Sequence, residues 1–166
     1  MVDDSLSVSK FKDQVGEVGI PTVASAYKQK EEAESLFDAE KWVEAEAAYK
    51  ALADNANFLA NIISQGLRPY YSASHDGQTN LSRDVIRKLA PDEELSDHYK
   101  MVRNVAFLRM GICFFNMKAF EDALPLLMKS LDLISIDEYD DWRQARKYLY
   151  DIIGYDNCSK LERLDF

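Results

Sequence analysis

Residues 111–127 of the chain read GICFFNMKAFEDALPLL, and residues 33–49 read AESLFDAEKWVEAEAAY. Both stretches open on a small residue, Gly111 or Ala33, and in both an alanine follows twelve positions later. A bulky apolar residue stands three positions after each small residue, and an aromatic residue stands three positions before each alanine. This repeated spacing predicts two helical hairpins, each with helices that approach closely at the small residues and are joined by a short linker of the same length.

Helical spacing of apolar residues extends outward from both stretches. Residues 26–37 are rich in the helix formers Ala, Lys and Glu, and Thr22 or Ser25 is the candidate N-cap. Residues 42–53 form the partner helix of this first hairpin. Because no part of the chain shows sustained strand alternation, the pattern predicts an all-α protein.

The middle of the chain is less regular. Residues 58–71 again show helical spacing, whereas residues 72–80 are polar and contain an Asp-Gly pair, which predicts a loop. We expect a short helix at 81–89 and a new helix that begins at Pro91 and continues to Phe115. The simplest account is a degenerate middle hairpin that carries the loop as an insertion.

The sequence pattern of the second half of the chain predicts the partner helix of the second hairpin and a final helix. Residues 120–133 pair with the helix that ends at Phe115, and a last helix over 142–153 caps the domain. The predicted organisation is a loosely ordered N-terminal arm, a helical domain and a C-terminal tail, at residues 1–21, 22–155 and 156–166.

Composition and charge narrow the classes of protein to which the chain belongs. Of its 166 residues, 47% are hydrophobic, which excludes a wholly disordered chain, and its formal net charge of −9 repels phosphate backbones and anionic lipid. No segment approaches the roughly 18 apolar residues of a membrane helix. The acidic N-terminus lacks the features of a secretory signal, and the two cysteines form no disulfide framework. We therefore expect a cytoplasmic protein with neither nucleic-acid nor membrane partners.

Residues that could support chemistry are few. His75 and Asp76 in the polar loop could form an acid–base pair or half of a metal site, but His98 is the only other histidine. No nucleophile elbow, zinc-protease, phosphate-loop or dinucleotide motif occurs. We expect no catalytic residues, no metal site and no cofactor, and hence no enzyme.

The chain resembles the tetratricopeptide repeat (TPR) family over the two stretches. The match is best where Phe107, Gly111, Phe114 and Ala123 follow one another, and weaker over 29–49. The first repeat has polar residues where the family usually has large apolar ones, and neither repeat has the family's terminal proline. The resemblance implies a TPR-like α-solenoid, that is, a right-handed stack of about three antiparallel helical hairpins with a C-terminal capping helix.

In the TPR family, the first helix of each hairpin lines the concave face of the stack. By position, the resemblance implies that Leu108, Ile112 and Phe115 are apolar anchors on this face. It implies that Arg109 is the charged residue that selects among partners. Glu34 stands where the family's carboxylate-clamp members have an asparagine, which argues against recognition of chaperone tails. The implied partner-binding residues are Tyr27, Lys30, Phe37, Leu108, Arg109, Ile112, Phe115 and Asn116.

These observations favour a non-catalytic scaffold for protein–protein interaction that binds a peptide or a helix on its concave face. Two alternatives stay open. In the first, the same apolar residues seal a homodimer and the protein is structural. In the second, the chain is a small helical enzyme or a ligand-sensing regulator that uses the loop around His75.

Overall fold

The computed structural model describes residues 19–71, 82–135 and 138–155, and all regular secondary structure in these ranges is helical. The predicted all-α class is confirmed, since about 86% of the described residues lie in helices. None of these helices is both long and apolar enough to cross a membrane. The helices are α1 (Val23–Asp38), α2 (Trp42–Gly66), α3 (Arg68–Tyr71), α4 (Arg83–Asn116), α5 (Phe120–Leu133) and α6 (Tyr139–Ile153).

The first helix begins at the predicted cap. The Thr22 side chain accepts a hydrogen bond from the backbone N–H of Ser25 at 3.1 Å, and the Ser25 hydroxyl accepts one from the backbone N–H of Thr22 at 2.8 Å. This reciprocal pair is a capping box, which satisfies two backbone donors that the first turn of a helix leaves without partners. Both candidate residues therefore act together to fix the start of α1.

Helix α4 is the central element of the fold. It packs against α2 on one side and against α5 and α6 on the other, while α1 packs on α2. Helices α2 and α4 run antiparallel, because Asn57 bonds to Arg103 whereas Ser64, two turns later in α2, bonds to Ser96, which lies earlier in α4. The described helices therefore form successive packed pairs along the chain.

Helix α6 runs in the same direction as α4. Arg109 of α4 bonds to Gln144 of α6, and the Phe115 ring, further along α4, lies 4.9 Å from the ring of Tyr148. Both residue numbers increase together along this contact, which defines a parallel pair. Helices α4 and α6 thus lie side by side in the same sense, with α5 as the antiparallel return between them.

The turns of the two predicted hairpins have the same backbone geometry. The third residue of each linker is left-handed, with φ of 57° at Glu40 and 64° at Lys118. In each turn this residue donates its N–H to the carbonyl three positions earlier at 3.0 Å, and the next residue donates to the carbonyl five positions earlier at 2.9–3.0 Å. These two bonds define the Schellman motif. Equal linker length in the sequence thus corresponds to equal geometry in the structure.

Side chains next to the two turns also occupy equivalent positions. Phe37 meets Trp42 edge-on with ring centroids 5.4 Å apart, and Phe115 meets Phe120 edge-on at the same distance. Such edge-to-face pairs stabilise the junction between the two helices of a hairpin. The small residues of the pattern are all buried: Ala33, Ala45, Gly111 and Ala123.

The predicted first partner helix is too short. The helix expected at 42–53 continues without a break to Gly66, because no glycine or proline interrupts it before that residue and Ala56, Leu59 and Ala60 continue its buried face. The two helices expected on either side of residue 54 are therefore one helix, α2.

The prediction that Pro91 begins a helix is wrong, because Pro91 lies inside α4. Proline removes one hydrogen bond to the preceding turn, and Pro91 is exposed, so that water can satisfy the freed carbonyl. The middle hairpin therefore consists of the extended ends of α2 and α4 rather than of separate helices. The predicted arm up to residue 18, the loop at 72–80 and the tail at 156–166 lie outside the described residues.

Two apolar clusters form the core. The first lies between α1, α2 and α4 and is rich in alanine, which permits close helix packing. The second lies between α4, α5 and α6 and centres on Leu108, Ile112 and Leu127, each at most 1% exposed. Because α4 contributes to both clusters, neither hairpin has a core of its own.

Glycine at the left-handed turn positions is predicted to stabilise the fold. A non-glycine residue in this conformation costs roughly 1 kcal/mol or more. We expect Glu40→Gly or Lys118→Gly to raise the free energy of unfolding by about 0.5–1 kcal/mol, after the greater entropy of glycine in the unfolded chain is subtracted. Urea denaturation measures this change. The matched control is Glu32→Gly inside α1, which should lose about 1 kcal/mol, and an equal loss in Glu40→Gly would contradict the assigned turn.

The close approach of α4 and α5 at Gly111 gives a second prediction. A Cβ atom on Gly111 would lie 2.9 Å from Cδ2 of Leu127 and 3.4 Å from its backbone nitrogen. Gly111→Leu should therefore overpack the hairpin and lower the free energy of unfolding by about 1–3 kcal/mol or more. Gly66 is also helical, but a Cβ atom there would meet nothing within 4 Å, so Gly66→Leu should not destabilise the protein. Equal melting temperatures for the two variants would contradict this packing.

Candidate functional site

A cleft of about 420 Å³ opens between α1, α2 and α4 and reaches the start of α6. Its volume lies within the range of ligand-binding pockets. Buried apolar side chains form the floor, and exposed or half-exposed charged side chains form the rim. The lining residues are Lys30, Glu34, Phe37, Asp38, Tyr49, Leu52, Met101, Val102, Val105, Ala106, Arg109 and Asp141.

Residues at helical spacing form two opposite walls of the cleft. Residues four positions apart lie on the same face of a helix, and the walls use this spacing over two turns. The α1 wall is charged, whereas the α4 wall is apolar until its last member. The two walls are Lys30, Glu34 and Asp38 on α1, and Met101, Val105 and Arg109 on α4.

Arg109 connects three of the four helices that line the cleft. Its Nη1 donates to Oε1 of Gln144 at 3.0 Å, and its Nη2 lies 4.0 Å from the carboxylate of Asp141. Its guanidinium carbon lies 5.1 Å from the centroid of the Phe37 ring of α1, a cation–π contact. A guanidinium has five N–H donors, so this arrangement fixes its plane and still leaves donors for a bound group.

The remaining charged groups make the cleft slightly negative. Lys30 and Glu34 form an ion pair at 3.7 Å in which both side chains are about half exposed, so the pair contributes little to stability. The carboxylate of Asp38 makes no ion pair with any described residue. Together with Asp141, the lining contains three carboxylates and two cations. The excess negative charge favours a ligand that carries a cation.

Burial favours the neutral forms of two groups, Tyr49 in the cleft lining and Cys113, which lies one turn after Arg109 in α4. Burial raises the pKa of the Tyr49 hydroxyl well above its usual value near 10, and the charge of Arg109 offsets only part of this effect. Burial likewise raises the pKa of the Cys113 thiol to about 12. Cys113 is therefore a thiol at neutral pH, and its nucleophilic thiolate form is suppressed. Within the described ranges, no cluster of His, Cys, Asp or Glu side chains could hold a metal ion.

The structure places only some of the predicted partner-binding residues at the cleft. Lys30, Phe37 and Arg109 line it, whereas Tyr27 is 64% exposed and lies outside its lining. Asn116 uses its side-chain amide to donate to the Ile112 carbonyl at 2.9 Å, near the end of its own helix.

Leu108 and Ile112 are not exposed anchors. They are 0% and 1% exposed, respectively, and form the core beneath α6. Phe115 is half-buried and packs against the rings of Phe120 and Tyr148. The expectation of an open apolar face at these three positions is wrong, because α6 covers the face of α4 that they share.

Several cleft residues were not among the sequence predictions. Met101 and Val102 extend the α4 wall by one turn, but the pattern places the start of the repeat after them. Met101 stands four positions before Val105, and this helical spacing could have placed Met101 on the same face of the helix. Asp141 lies in the first turn of α6, and no local pattern indicates that it reaches Arg109, since that contact depends on how α6 packs.

The basic residues of α6 lie next to aromatic rings. The Arg146 guanidinium carbon lies 4.4 Å from the Tyr150 ring centroid and 5.8 Å from that of Trp142. Lys147 forms an ion pair with Asp151 at 2.8 Å. His75 and its loop lie outside the described residues, so their predicted alternative role stays a prediction.

Phe115 offers a test of the corrected assignment. We expect Phe115→Ala to lower the free energy of unfolding by about 2–4 kcal/mol, somewhat less than for a fully buried phenylalanine, because it removes packing against two rings. The control is Val43→Ala at a position that is 66% exposed, which should change stability by less than about 0.5 kcal/mol. Urea denaturation compares the two. A Phe115→Ala variant as stable as the control would return Phe115 to the partner-binding surface.

Comparison with known proteins identifies no relative of this chain. Searches with the chain against protein-family models, curated proteins and solved structures found no significant match. The resemblance to TPR proteins therefore depends on the residues of the two stretches alone. The candidate site depends on the contacts of the described helices.

Proposed function

We propose that the chain is a TPR-like, non-catalytic module for protein–protein interaction that binds a peptide in the cleft between α1, α2 and α4. In this view the helices form a right-handed solenoid of hairpins, with α6 as the cap. The observation that carries the proposal is the cleft itself, which has apolar residues of α2 and α4 in its lining and charged residues of α1, α4 and α6 at its rim.

Features shared by the hairpins support the solenoid. The two turns have equal backbone geometry, and the same aromatic contact follows each of them. Ala145 of α6 lies 34 positions after Gly111, which is the TPR repeat length, and is fully buried. The parallel orientation of α4 and α6 also suits successive first helices of such a stack.

The chemistry of the cleft indicates the kind of peptide. Phe37, Val105 and the 38%-exposed side chain of Met101 offer apolar contact. The Asp38 carboxylate and the excess negative charge of the lining favour lysine or arginine in the ligand. We therefore propose a peptide that places an apolar side chain against α4 and a basic side chain near Asp38.

Selection of peptides tests this function directly. Random peptides displayed on phage are selected on the wild-type protein, and the dissociation constants of the enriched sequences are measured by fluorescence anisotropy. We expect enriched peptides to combine an apolar and a basic residue. Met101→Glu should weaken their binding by about tenfold or more, because it places a charge against the apolar contact.

The matched control is Met128→Glu, which adds the same charge at a 53%-exposed methionine of α5 outside the cleft. It should leave the dissociation constant within about twofold of the wild type. Equal binding by both variants would remove the cleft from the proposal. Light scattering separates the structural alternative, since a dimer that Met101→Glu dissociates would favour a homodimer interface at this cleft.

A further inference from the structure

A second cleft lies on another side of α4, between α2 and α5, and has a volume of about 430 Å³. Two cations line it, Arg103 of α4 and Lys129 of α5, and Asp54 of α2 is its single carboxylate. The chain as a whole carries a net charge of −9, so a cleft whose lining has a net positive charge stands apart from the rest of the protein. Such a cleft favours anions.

Neutral side chains hold Arg103 in place. Its Nη1 donates to Oδ1 of Asn57 at 2.8 Å, and its Nε and Nη2 both donate to Oδ1 of Asn104 at 3.1 and 2.9 Å. These amides fix the plane of the guanidinium without neutralising its charge. Three of its five N–H donors are used in this way, so two remain for a ligand.

Lys129 is oriented in a similar manner. Its Nζ lies 3.7 Å from the centroid of the Phe107 ring, a cation–π contact that positions the ammonium but leaves its charge uncompensated. Among the described residues, neither Lys129 nor Arg103 forms an ion pair. Two positive charges on neighbouring helices therefore line one cleft without an ion-pair partner among the described residues.

We infer that this cleft binds a phosphate group. A guanidinium with free donors and a nearby ammonium match the charge and the several acceptor oxygens of a phosphate dianion. Asp54 opposes this binding and limits its affinity. The site shares no lining residue with the proposed peptide cleft between α1, α2 and α4.

Titration of the full chain with inorganic phosphate at constant ionic strength tests the inference. The side-chain Nε–H resonance of Arg103 in proton–nitrogen NMR spectra reports occupancy at the site. We expect a saturable shift whose dissociation constant rises about tenfold in Lys129→Gln and falls severalfold in Asp54→Asn, because the two variants remove an attracting and a repelling charge. Neither variant removes a hydrogen bond that holds Arg103.

Matched controls separate local effects from net charge. Lys28→Gln and Asp92→Asn remove charges of the same two signs at positions outside the cleft lining, and both should leave the dissociation constant within about twofold. A second titration uses O-phosphoserine in place of inorganic phosphate. Tighter binding of O-phosphoserine assigns the site to a phosphate ester, and weaker binding assigns it to the free phosphate ion. The inference is overturned if no saturable shift occurs, or if Lys129→Gln and Asp54→Asn fail to move the dissociation constant in opposite directions.

Discussion

The burial of α4 among its neighbours is the constraint on which the rest of the structure depends. Between Val102 and Cys113 this helix is buried at most positions, because it meets α2, α5 and α6 on different sides. A helix that is apolar around most of its circumference is stable only when other helices surround it. The hairpins are therefore held together through α4. The arginines of this segment leave the core on two sides, Arg109 toward α1 and α6 and Arg103 toward α2 and α5, so that each cleft has one arginine in its lining.

The hairpins at 33–49 and 111–127 could be predicted because their determinants are local. A small residue, a short linker and an aromatic contact all lie within a few turns of one another, and the Schellman turns depend only on adjacent backbone groups. The middle of the chain could not be divided correctly by the same reasoning. A repeat of fixed length predicts a helix end near residue 54. The residues there include no glycine or proline, so the helix continues to Gly66.

The two hairpins also explain why Leu108 and Ile112 were expected to be exposed although they are buried. Leu108 and Ile112 occupy the positions that Lys30 and Glu34 occupy 78 residues earlier. The apolar pair is covered by α6, whereas the charged pair lines the open cleft. Helical periodicity shows which residues share a face, but not whether another helix covers that face. The contrast between the repeats was the informative signal, because an uncovered face tolerates charged residues and a covered one does not.

Asn104 shows how one polar residue in the core serves two elements. Its position in the first hairpin is occupied by Ala26, which is 2% exposed, and Asn104 itself is only 8% exposed. A buried amide is costly unless both of its ends are bonded. The Asn104 amide nitrogen donates to the Leu133 carbonyl at 3.0 Å, one of the carbonyls that the end of α5 leaves without a partner. Its oxygen accepts from Arg103. One side chain thus ties down the end of α5 and orients the guanidinium at the second cleft. This is a reason for asparagine, rather than a second alanine, at this position of the repeat.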